Sequence, residues 1–116
     1  MTIDKELLKG STSMLILKLL ESGDMYGYQM TKELDRKSEN TFTLKEGTLY
    51  PILHSLESTG MIEAYWEETD SSRKRKYYKI TKKGKKLLAE KEAEWTKYVN
   101  GVRRVLGGAM LEQSCI

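Results

Sequence analysis

The stretch from Lys45 to Gly60, which reads KEGTLYPILHSLESTG, decides the fold of this chain. Four of its apolar residues recur at the i, i+3, i+4 and i+7 spacing that places side chains along one stripe of a helix. They are Leu49, Ile52, Leu53 and Leu56. Thr43 and Glu46 have the spacing of a capping box, and Gly60 suits the left-handed residue that commonly ends a helix. The sequence therefore predicts one amphipathic helix whose apolar face packs in a core.

The opposite face of this helix carries small, flat or hydrogen-bonding side chains and no carboxylate. Its members are Gly47, Tyr50, Pro51, His54 and Ser58. A helix tolerates proline best near its start, so Pro51 is expected close to the N-terminus of the helix. A face without carboxylates does not repel a phosphate backbone. Such a helix on its own more often serves plain packing, and the flanking sequence has to decide its role.

Two further helices are predicted before this stretch. The first is rich in leucine and ends at Ser22, and it begins either at Lys5 or near Ser11, because residues 10–13 are weak helix formers. In the second reading the first residues form a separate arm. Three apolar residues that repeat every four positions after Gly23 predict the second helix. They are Tyr26, Met30 and Leu34.

The chain changes character after Gly60, because residues 61–67 and 76–81 are rich in the aromatic and β-branched types that favour strands. The polar segment 68–75 between them predicts a hairpin tip with a basic return strand. Three helices followed by a two-stranded hairpin is the winged helix-turn-helix plan. In that plan the third helix enters the major groove of DNA and the hairpin, or wing, reaches the backbone beside it.

A long helix is predicted over residues 82–106, and its apolar residues form a seam that needs another helix to cover it. The seam consists of Leu88, Trp95, Tyr98, Val99, Val102, Val105 and Leu106. We therefore expect a winged helix-turn-helix domain over residues 1–81, a dimerisation helix over 82–108 and a flexible tail over 109–116. The expected fold class is mainly α with a small β-hairpin.

Positive charge is concentrated in one block of the chain. The 20 basic residues are nearly balanced by 17 acidic ones, yet nine Lys or Arg residues and no Asp or Glu lie between Arg73 and Lys86. Cationic side chains on a wing neutralise phosphates, which gives affinity and salt dependence but little sequence information. The residues expected to do so are Arg73, Lys74, Arg75 and Lys76. The predicted partner is double-stranded DNA.

Sequence specificity is expected from the exposed face of the third helix, where rings and methyl groups suit thymine methyls and hydroxyls or an imidazole suit base edges. The candidates are Thr48, Tyr50, Pro51 and His54, with Lys45 at the start of the helix. Tyr28 at the start of the second helix is a candidate phosphate donor. For Tyr28, core packing is an equal alternative.

Several classes of protein are disfavoured by what the sequence contains. The single Cys115 excludes an intrachain disulfide, and one cysteine with the sole histidine, His54, cannot build a zinc site. No catalytic triad, phosphate-binding glycine loop or carboxylate pair is present, so we expect neither an enzyme nor a cofactor. Because there is no signal peptide or membrane-spanning segment, the expected location is the cytoplasm and not a membrane.

The chain resembles the PadR-like family of transcriptional regulators from about Leu8 to Leu106. The segments that carry the resemblance are Tyr26-Gly27-Tyr28, Gly47-Thr48-Leu49-Tyr50-Pro51, Gly60-Met61-Ile62 and the run from Arg75 to Thr81 with Gly84. The short length resembles the smaller branch of the family, which includes the lactococcal multidrug-resistance regulator. This resemblance implies a homodimer, held by the first and last helices, that acts as a repressor on a pseudo-palindromic operator. At the wing tip Ser71-Ser72 replace the usual glycine pair.

The resemblance also implies a planar aromatic effector, stacked between paired tryptophans at the centre of the dimer. Trp95 matches that tryptophan. The expected lining residues are Leu7, Met14, Lys18, Leu88, Trp95 and Val99. Lys18, Lys91 and Glu92 bring charge to a region that is apolar in the drug-binding relative, so two alternatives stay open. One is the same fold without a small-molecule effector, and the other is a winged-helix protein-interaction module that does not read DNA.

Overall fold

The computed structural model describes residues 11–69 and 73–107, which form four helices and a three-stranded antiparallel sheet. The wing tip at Ser71-Ser72, the residues before Ser11 and those after Gly107 lie outside the described residues. The elements follow the order α1 (Thr12–Ser22), β1 (Met25–Tyr26), α2 (Gly27–Lys37), α3 (Glu46–Ser58), β2 (Ile62–Glu68), β3 (Lys74–Ile80) and α4 (Lys82–Leu106). The expectation of a mainly helical, winged helix-turn-helix chain is confirmed.

The core collects apolar side chains from all four helices and from the sheet. Those that are almost completely buried are Ile16, Leu17, Leu20, Met30, Leu49, Leu53, Ile62 and Leu88. Burying one such side chain stabilises the folded state by about 1.5–3 kcal/mol relative to leaving it in water. The apolar stripe predicted for α3 is therefore the face that holds this helix to the domain.

Helix α1 begins at Thr12 with Ser11 at its N-cap, which confirms the later of the two predicted starting points. The predicted separate arm, with Leu7 and Leu8, falls outside the described residues. The helix ends at Ser22, before the glycine at position 23. The α1 helix packs against α4 as well as α2 and the sheet, which is why so many of its leucines are buried.

The predicted capping box at the start of α3 is wrong. The helix begins at Glu46 with Lys45 at the N-cap, and no side chain caps it. The hydroxyl of Thr43 instead donates to the Asp35 carboxylate at 3.3 Å, while Leu44 is buried in the core. Packing of Leu44 fixes the turn between α2 and α3 and leaves Thr43 too early in the chain to cap. No side chain therefore caps the backbone N–H groups at the N-terminus of α3.

Pro51 lies inside α3, beyond the first turn, and not at the start of the helix as the sequence suggested. Proline there removes one backbone N–H that would otherwise bond to the carbonyl four residues earlier, at Gly47. The helix continues to Ser58, and Gly60 closes it with a left-handed φ of 81°. Gly60 is thus confirmed as the terminating residue.

The sheet contains one strand that the sequence did not predict. Met25 pairs with Tyr78 and Tyr26 with Tyr77, so β1 adds to the edge of the β2–β3 hairpin in the order β1-β3-β2. Tyr26 was predicted as the first residue of the helical stripe, but it is extended and caps α2. A two-residue strand is too short to show a period, and its pairing with a distant strand is a tertiary contact.

The base of the wing is joined tightly to the start of α4. Thr81 caps α4 by accepting from the Gly84 N–H at 3.0 Å, and its hydroxyl lies 2.7 Å from the Gly60 carbonyl oxygen. Gly84 lies so close to the turn that a Cβ would overlap the Met61 carbonyl oxygen. Only a glycine lets the first turn of α4 sit on this turn, which fixes the direction in which α4 leaves the domain.

Candidate nucleic-acid interface

The two faces of α3 are separated as the sequence predicted. Thr48, Tyr50, Pro51 and His54 are exposed, whereas Leu49, Leu53 and Leu56 are buried and Ile52 is half-buried. Lys45 is also exposed, at the N-cap of the helix. The structure therefore brings all five candidate residues of the third helix to one accessible surface, which we call the reading face.

Tyr50 is exposed on the reading face, yet its ring rests on the first residue of α2. A Cβ built at Gly27 would overlap the Tyr50 hydroxyl oxygen and lie 2.9 Å from the ring carbon Cζ. Gly27 is itself buried. The glycine of the Tyr26-Gly27-Tyr28 motif thus gives the Tyr50 ring its place. Sequence reasoning missed Gly27 as a site residue, although a glycine at the start of a helix was a signal that something approaches closely.

Tyr28 is 51% exposed on α2, and the Lys32 ammonium lies 5.2 Å from the centre of its ring. The alternative of core packing for Tyr28 is therefore wrong. A phenol held beside a lysine can donate a hydrogen bond to a phosphate while the lysine supplies the charge. Tyr28 directly follows Gly27, which places it next to the contact between α2 and the reading face.

The wing distributes its basic residues over both faces of the hairpin. Lys74 and Lys76 alternate with Arg75 along β3, so Arg75 lies on the other face of the sheet. The Lys76 Nζ lies 3.9 Å from Glu57 Oε1 of α3. The Arg75 guanidinium instead stacks 4.5 Å above the ring of Tyr26. Arg73 is exposed just before β3.

Acidic residues of β2 face the basic residues of β3, which the sequence analysis did not anticipate. Glu63 is opposite Lys79, Glu67 opposite Arg75 and Glu68 opposite Lys74. Opposite charges at facing positions stabilise an antiparallel pair by roughly 0.2–1 kcal/mol each. The wing is therefore less positive than its basic strand alone suggests. Lys76 differs from the others, because the residue facing it in β2 is Trp66.

A row of tyrosines covers the outer face of the sheet, away from α3. The rings of Tyr26 and Tyr77 meet edge to face at 5.5 Å, and those of Tyr65 and Tyr77 stack at 5.8 Å. The Tyr65 hydroxyl donates to the Asp24 carboxylate at 2.6 Å, and this hydrogen bond raises the pKa of Tyr65 to about 12. The row ties the wing to the loop between α1 and β1, so the wing keeps a fixed angle to the helices.

The candidate effector residues differ in how accessible they are. Trp95 is 46% exposed and Val99 and Met14 are half-buried, whereas Leu88 is only 1% exposed. Leu88 packs in the core and leaves no surface to a ligand in this chain. Lys18 is exposed at the contact between α1 and α4. Leu7 lies outside the described residues.

Lys18 forms ion pairs with two glutamates at this contact. Its Nζ lies 3.0 Å from Glu21 Oε1 and 3.7 Å from Glu92 Oε1. The hydrogen bond that Lys18 donates to the Glu21 carboxylate, more than the charge of Glu92, raises the pKa of Lys18 above its ordinary value. These side chains are largely exposed, so the pairs contribute little to stability, but they place charge beside the candidate effector region.

The outer half of α4 presents an apolar surface. The rings of Trp95 and Tyr98 lie 6.0 Å apart, and the large apolar side chains beyond them are exposed as well, from 38% at Val102 to 88% at Val105. The exposed members of this α4 surface are Trp95, Tyr98, Val102, Val105 and Leu106. A contiguous apolar surface of this kind usually marks a site of protein–protein contact.

Metal and membrane sites are not found in the part of the chain that is described. Across residues 11–69 and 73–107, no group of three or more His, Cys, Asp or Glu side chains is placed to hold a metal ion. No helix in the same ranges has the length and apolar character to cross a membrane.

Three helices, a wing and an exposed reading face define a winged helix-turn-helix DNA-binding protein. A family model for the transcriptional regulator PadR-like family matches residues 16–90. A transcriptional regulator from Clostridium thermocellum is 33% identical, with a TM-score of 0.82 over 89% of this chain and 97% of that chain. A PadR family transcriptional regulator from Eggerthella lenta is 36% identical, with a TM-score of 0.77 over 87% and 86% of the two chains.

One relative is also described as a regulator by name. Transcriptional regulator Rv3488 of Mycobacterium tuberculosis is 30% identical over 104 residues, which cover 90% of this chain and 91% of the relative. The chain belongs to the PadR-like family of transcriptional regulators. It is a DNA-binding transcriptional regulator and not an enzyme.

Proposed function

We propose that this protein represses transcription as a homodimer on a pseudo-palindromic operator. The observation that carries the proposal is the α4 surface, where Val105 is 88% exposed in a single chain. A second copy of the same helix covers these residues on both chains at once, since a two-fold interface joins the same patch to itself. Residues 82–108 then form the dimerisation helix, and residues 1–81 form the DNA-binding domain.

The geometry of α4 suits this arrangement. Its 25 residues span about 37 Å at 1.5 Å per residue, and Leu88 anchors its first half in the core. The outer half of the helix therefore extends beyond the core, where its apolar side chains are exposed. Two copies joined by this half present two reading faces, each to one major groove, as two-fold dimers do on sites about 34 Å apart. Occupation of such a site near a promoter blocks transcription.

A planar aromatic effector is the second part of the proposal. Trp95 is accessible, Tyr98 lies beside it, and Met14 and Val99 are half-buried on the facing helices. Between two copies, these residues form an apolar slot next to the Lys18–Glu92 ion pair. An effector shifts the population of the dimer only if it binds the DNA-incompetent arrangement more tightly than the competent one.

A ligand-free regulator is the second candidate, and one observation favours it. The charges of Lys18 and Glu92 lie at the contact between α1 and α4, where an apolar drug would have to desolvate them. Titration of planar aromatic compounds into a Trp66→Phe variant, in which Trp95 is the sole tryptophan, separates the two candidates. Quenching of Trp95 together with release of DNA supports the effector, and no response at saturation supports the ligand-free regulator.

The homodimer is tested by placing a charge on the α4 surface. We expect Val102→Lys to shift the protein from dimer to monomer in sedimentation and to abolish operator binding in a gel shift, because two lysines then face each other in an apolar contact. Ala93→Lys is the matched control, since Ala93 is also exposed but lies on the opposite side of α4 from Val102. Equal behaviour of the two variants contradicts the proposed interface.

The operator itself is found by selecting bound fragments from genomic DNA. A fragment upstream of the protein's own gene, bound specifically and ever more weakly as salt increases, supports the regulatory role. Equally weak binding to random DNA would favour the remaining alternative, a winged-helix protein-interaction module.

A further inference from the structure

Trp66 is the most conspicuous aromatic side chain of the wing. Its residue is 62% exposed, although it lies in the middle of β2 and faces Lys76 of β3. Because side chains alternate along a strand, Trp66 shares one face of the hairpin with Lys76 and Lys74 of β3 and with Glu68, which faces Lys74. A large indole this open to water does little for the fold, and the two lysines outnumber the single glutamate of β2 on this face, which favours an anionic partner.

This face of the hairpin continues directly into the reading face of α3. Lys76 Nζ lies 3.9 Å from Glu57 Oε1, and Glu57 lies two helical turns after Tyr50 on the same edge of α3. The expectation that this side of α3 carries no carboxylate is therefore wrong at its C-terminal end. Tyr78 is the next residue inward on this face. Burial raises the pKa of Tyr78, and the nearby Glu57 and Tyr50 side chains raise it further. Trp66 therefore lies on the wing, further towards its tip than the edge of α3 that carries Tyr50 and Glu57.

We propose that Trp66 packs its indole against the deoxyribose edge of bound DNA, between phosphates that Lys74 and Lys76 contact. The occupant is a DNA duplex because the indole offers an apolar surface bordered by two cations of β3, which matches the alternation of apolar sugars and anionic phosphates along a strand. The inference rests on the DNA-binding part of the proposed function and requires neither the repressor role nor an effector. It assigns a contact that sequence reasoning left out.

The contribution of Trp66 differs in kind from that of the lysines. A sugar contact carries no sequence information, so Trp66 strengthens binding to operator and random duplex equally. It also releases no counterion, so it leaves the slope of log affinity against log salt unchanged. Removal of a lysine that contacts a phosphate lowers that slope by roughly one.

The experiment uses the full chain with a random-sequence duplex at low salt and with operator fragments recovered from genomic DNA. In a Trp95→Phe background, Trp66 is the sole tryptophan, and its emission is expected to change in proportion to bound DNA. Trp66→Ala is expected to weaken both duplexes roughly tenfold, which is the effect of losing about 1.4 kcal/mol, with an unchanged salt slope. Lys74→Ala is the matched control, with a reduced slope.

Each outcome decides between the inference and its failure. Unchanged affinity of Trp66→Ala, or Trp66 emission that does not respond to saturating DNA, overturns the inference while leaving DNA binding intact. A reduced salt slope in Trp66→Ala also overturns it, because the indole would then act only through the lysines. If the unmodified protein binds no operator fragment, the proposed function fails instead. Trp66→Phe is expected to retain most of the affinity, which separates an aromatic contact from a disturbed wing.

Discussion

At the scale of single residues, the contact between Gly27 and Tyr50 shows how α2, which is not part of the reading face, sets the position of a side chain on that face. The Tyr50 ring occupies the space that a Cβ at position 27 would need. Tyrosine has a flexible side chain, so an added methyl group moves the ring away from α2 and does not unfold the domain. We therefore propose that Gly27 is a positioning residue, which acts on DNA binding by placing the Tyr50 ring.

We expect Gly27→Ala to weaken operator binding roughly tenfold, while the free energy of unfolding changes by less than about 1 kcal/mol, since alanine also favours the helix. In a Tyr50→Ala background the same substitution should have little further effect, because the ring that it displaces is gone. Gel shifts of the two single variants and the double variant measure this coupling. Equal losses in both backgrounds would show that Gly27 acts without Tyr50.

At the scale of elements, the junction between the wing and α4 depends on a second glycine. A Cβ at Gly84 would overlap the Met61 carbonyl oxygen and lie 2.9 Å from Ile80 Cγ1. Both neighbours are held by the sheet and the turn, so neither can move as a free side-chain end does. Gly84→Ala is therefore expected to lower the free energy of unfolding by about 2–3 kcal/mol.

Gly47→Ala is the matched control, because Gly47 is also in the first turn of a helix and nothing lies within 4 Å of its added Cβ. Alanine there should leave stability unchanged or raise it by up to about 1 kcal/mol. Denaturant unfolding without DNA measures both variants. Similar losses of stability in the two variants would show that the close approach of α4 to the Met61 turn does not require a glycine at position 84.

The hydrogen bond between Tyr65 and Asp24 joins the wing to the loop between α1 and β1, and this bond depends on pH. The pKa of Tyr65 is raised from 10.0 to about 12, mainly by the Asp24 hydrogen bond. A raised pKa of a phenol means that the neutral form is favoured in the folded state. The stabilisation is therefore fully present below pH 10 and is lost as the pH rises through about 12.

We expect Tyr65 to ionise late when phenolate absorbance is followed during an alkaline titration, together with Tyr78, whose pKa is raised by burial. Tyr65→Phe should reduce the late absorbance change by the contribution of one tyrosine, and Asp24→Asn should bring the pKa of Tyr65 back towards its ordinary value, because the carboxylate no longer opposes a phenolate. A titration curve that Tyr65→Phe leaves unchanged at its alkaline end would contradict the assigned cause.

At the scale of the whole molecule, the sequence predicted those features that depend on local spacing. The two faces of α3, the order of helices and wing, and the apolar side of α4 all follow from periodic residues such as Leu49, Leu53 and Trp95. The features that it missed depend on contacts between distant parts of the chain. They are the strand β1, the N-cap at Lys45, the acidic residues that face the basic strand, the Gly27–Tyr50 contact and the burial of Leu88.

The separation between the reading face and the wing leads to a prediction about specificity for the assembled molecule. His54 is exposed on α3 and can meet base edges, whereas Arg73 is exposed just before β3 and can meet only what the wing reaches. His54→Ala should therefore reduce the ratio of operator to random-duplex affinity roughly fivefold to a hundredfold, with a nearly constant salt slope.

Arg73→Ala should instead weaken both duplexes alike and lower the salt slope by roughly one, because it removes one phosphate contact. The register of the sheet makes Arg75 a weaker candidate than Arg73, since Glu67 faces it and Tyr26 lies under its guanidinium. Arg75→Ala should accordingly lower the slope less than Arg73→Ala. Binding titrations over a range of salt concentrations measure all three variants. A loss of specificity in Arg73→Ala equal to that in His54→Ala would mean that the wing reads bases, and the division between α3 and the wing would then have to be abandoned.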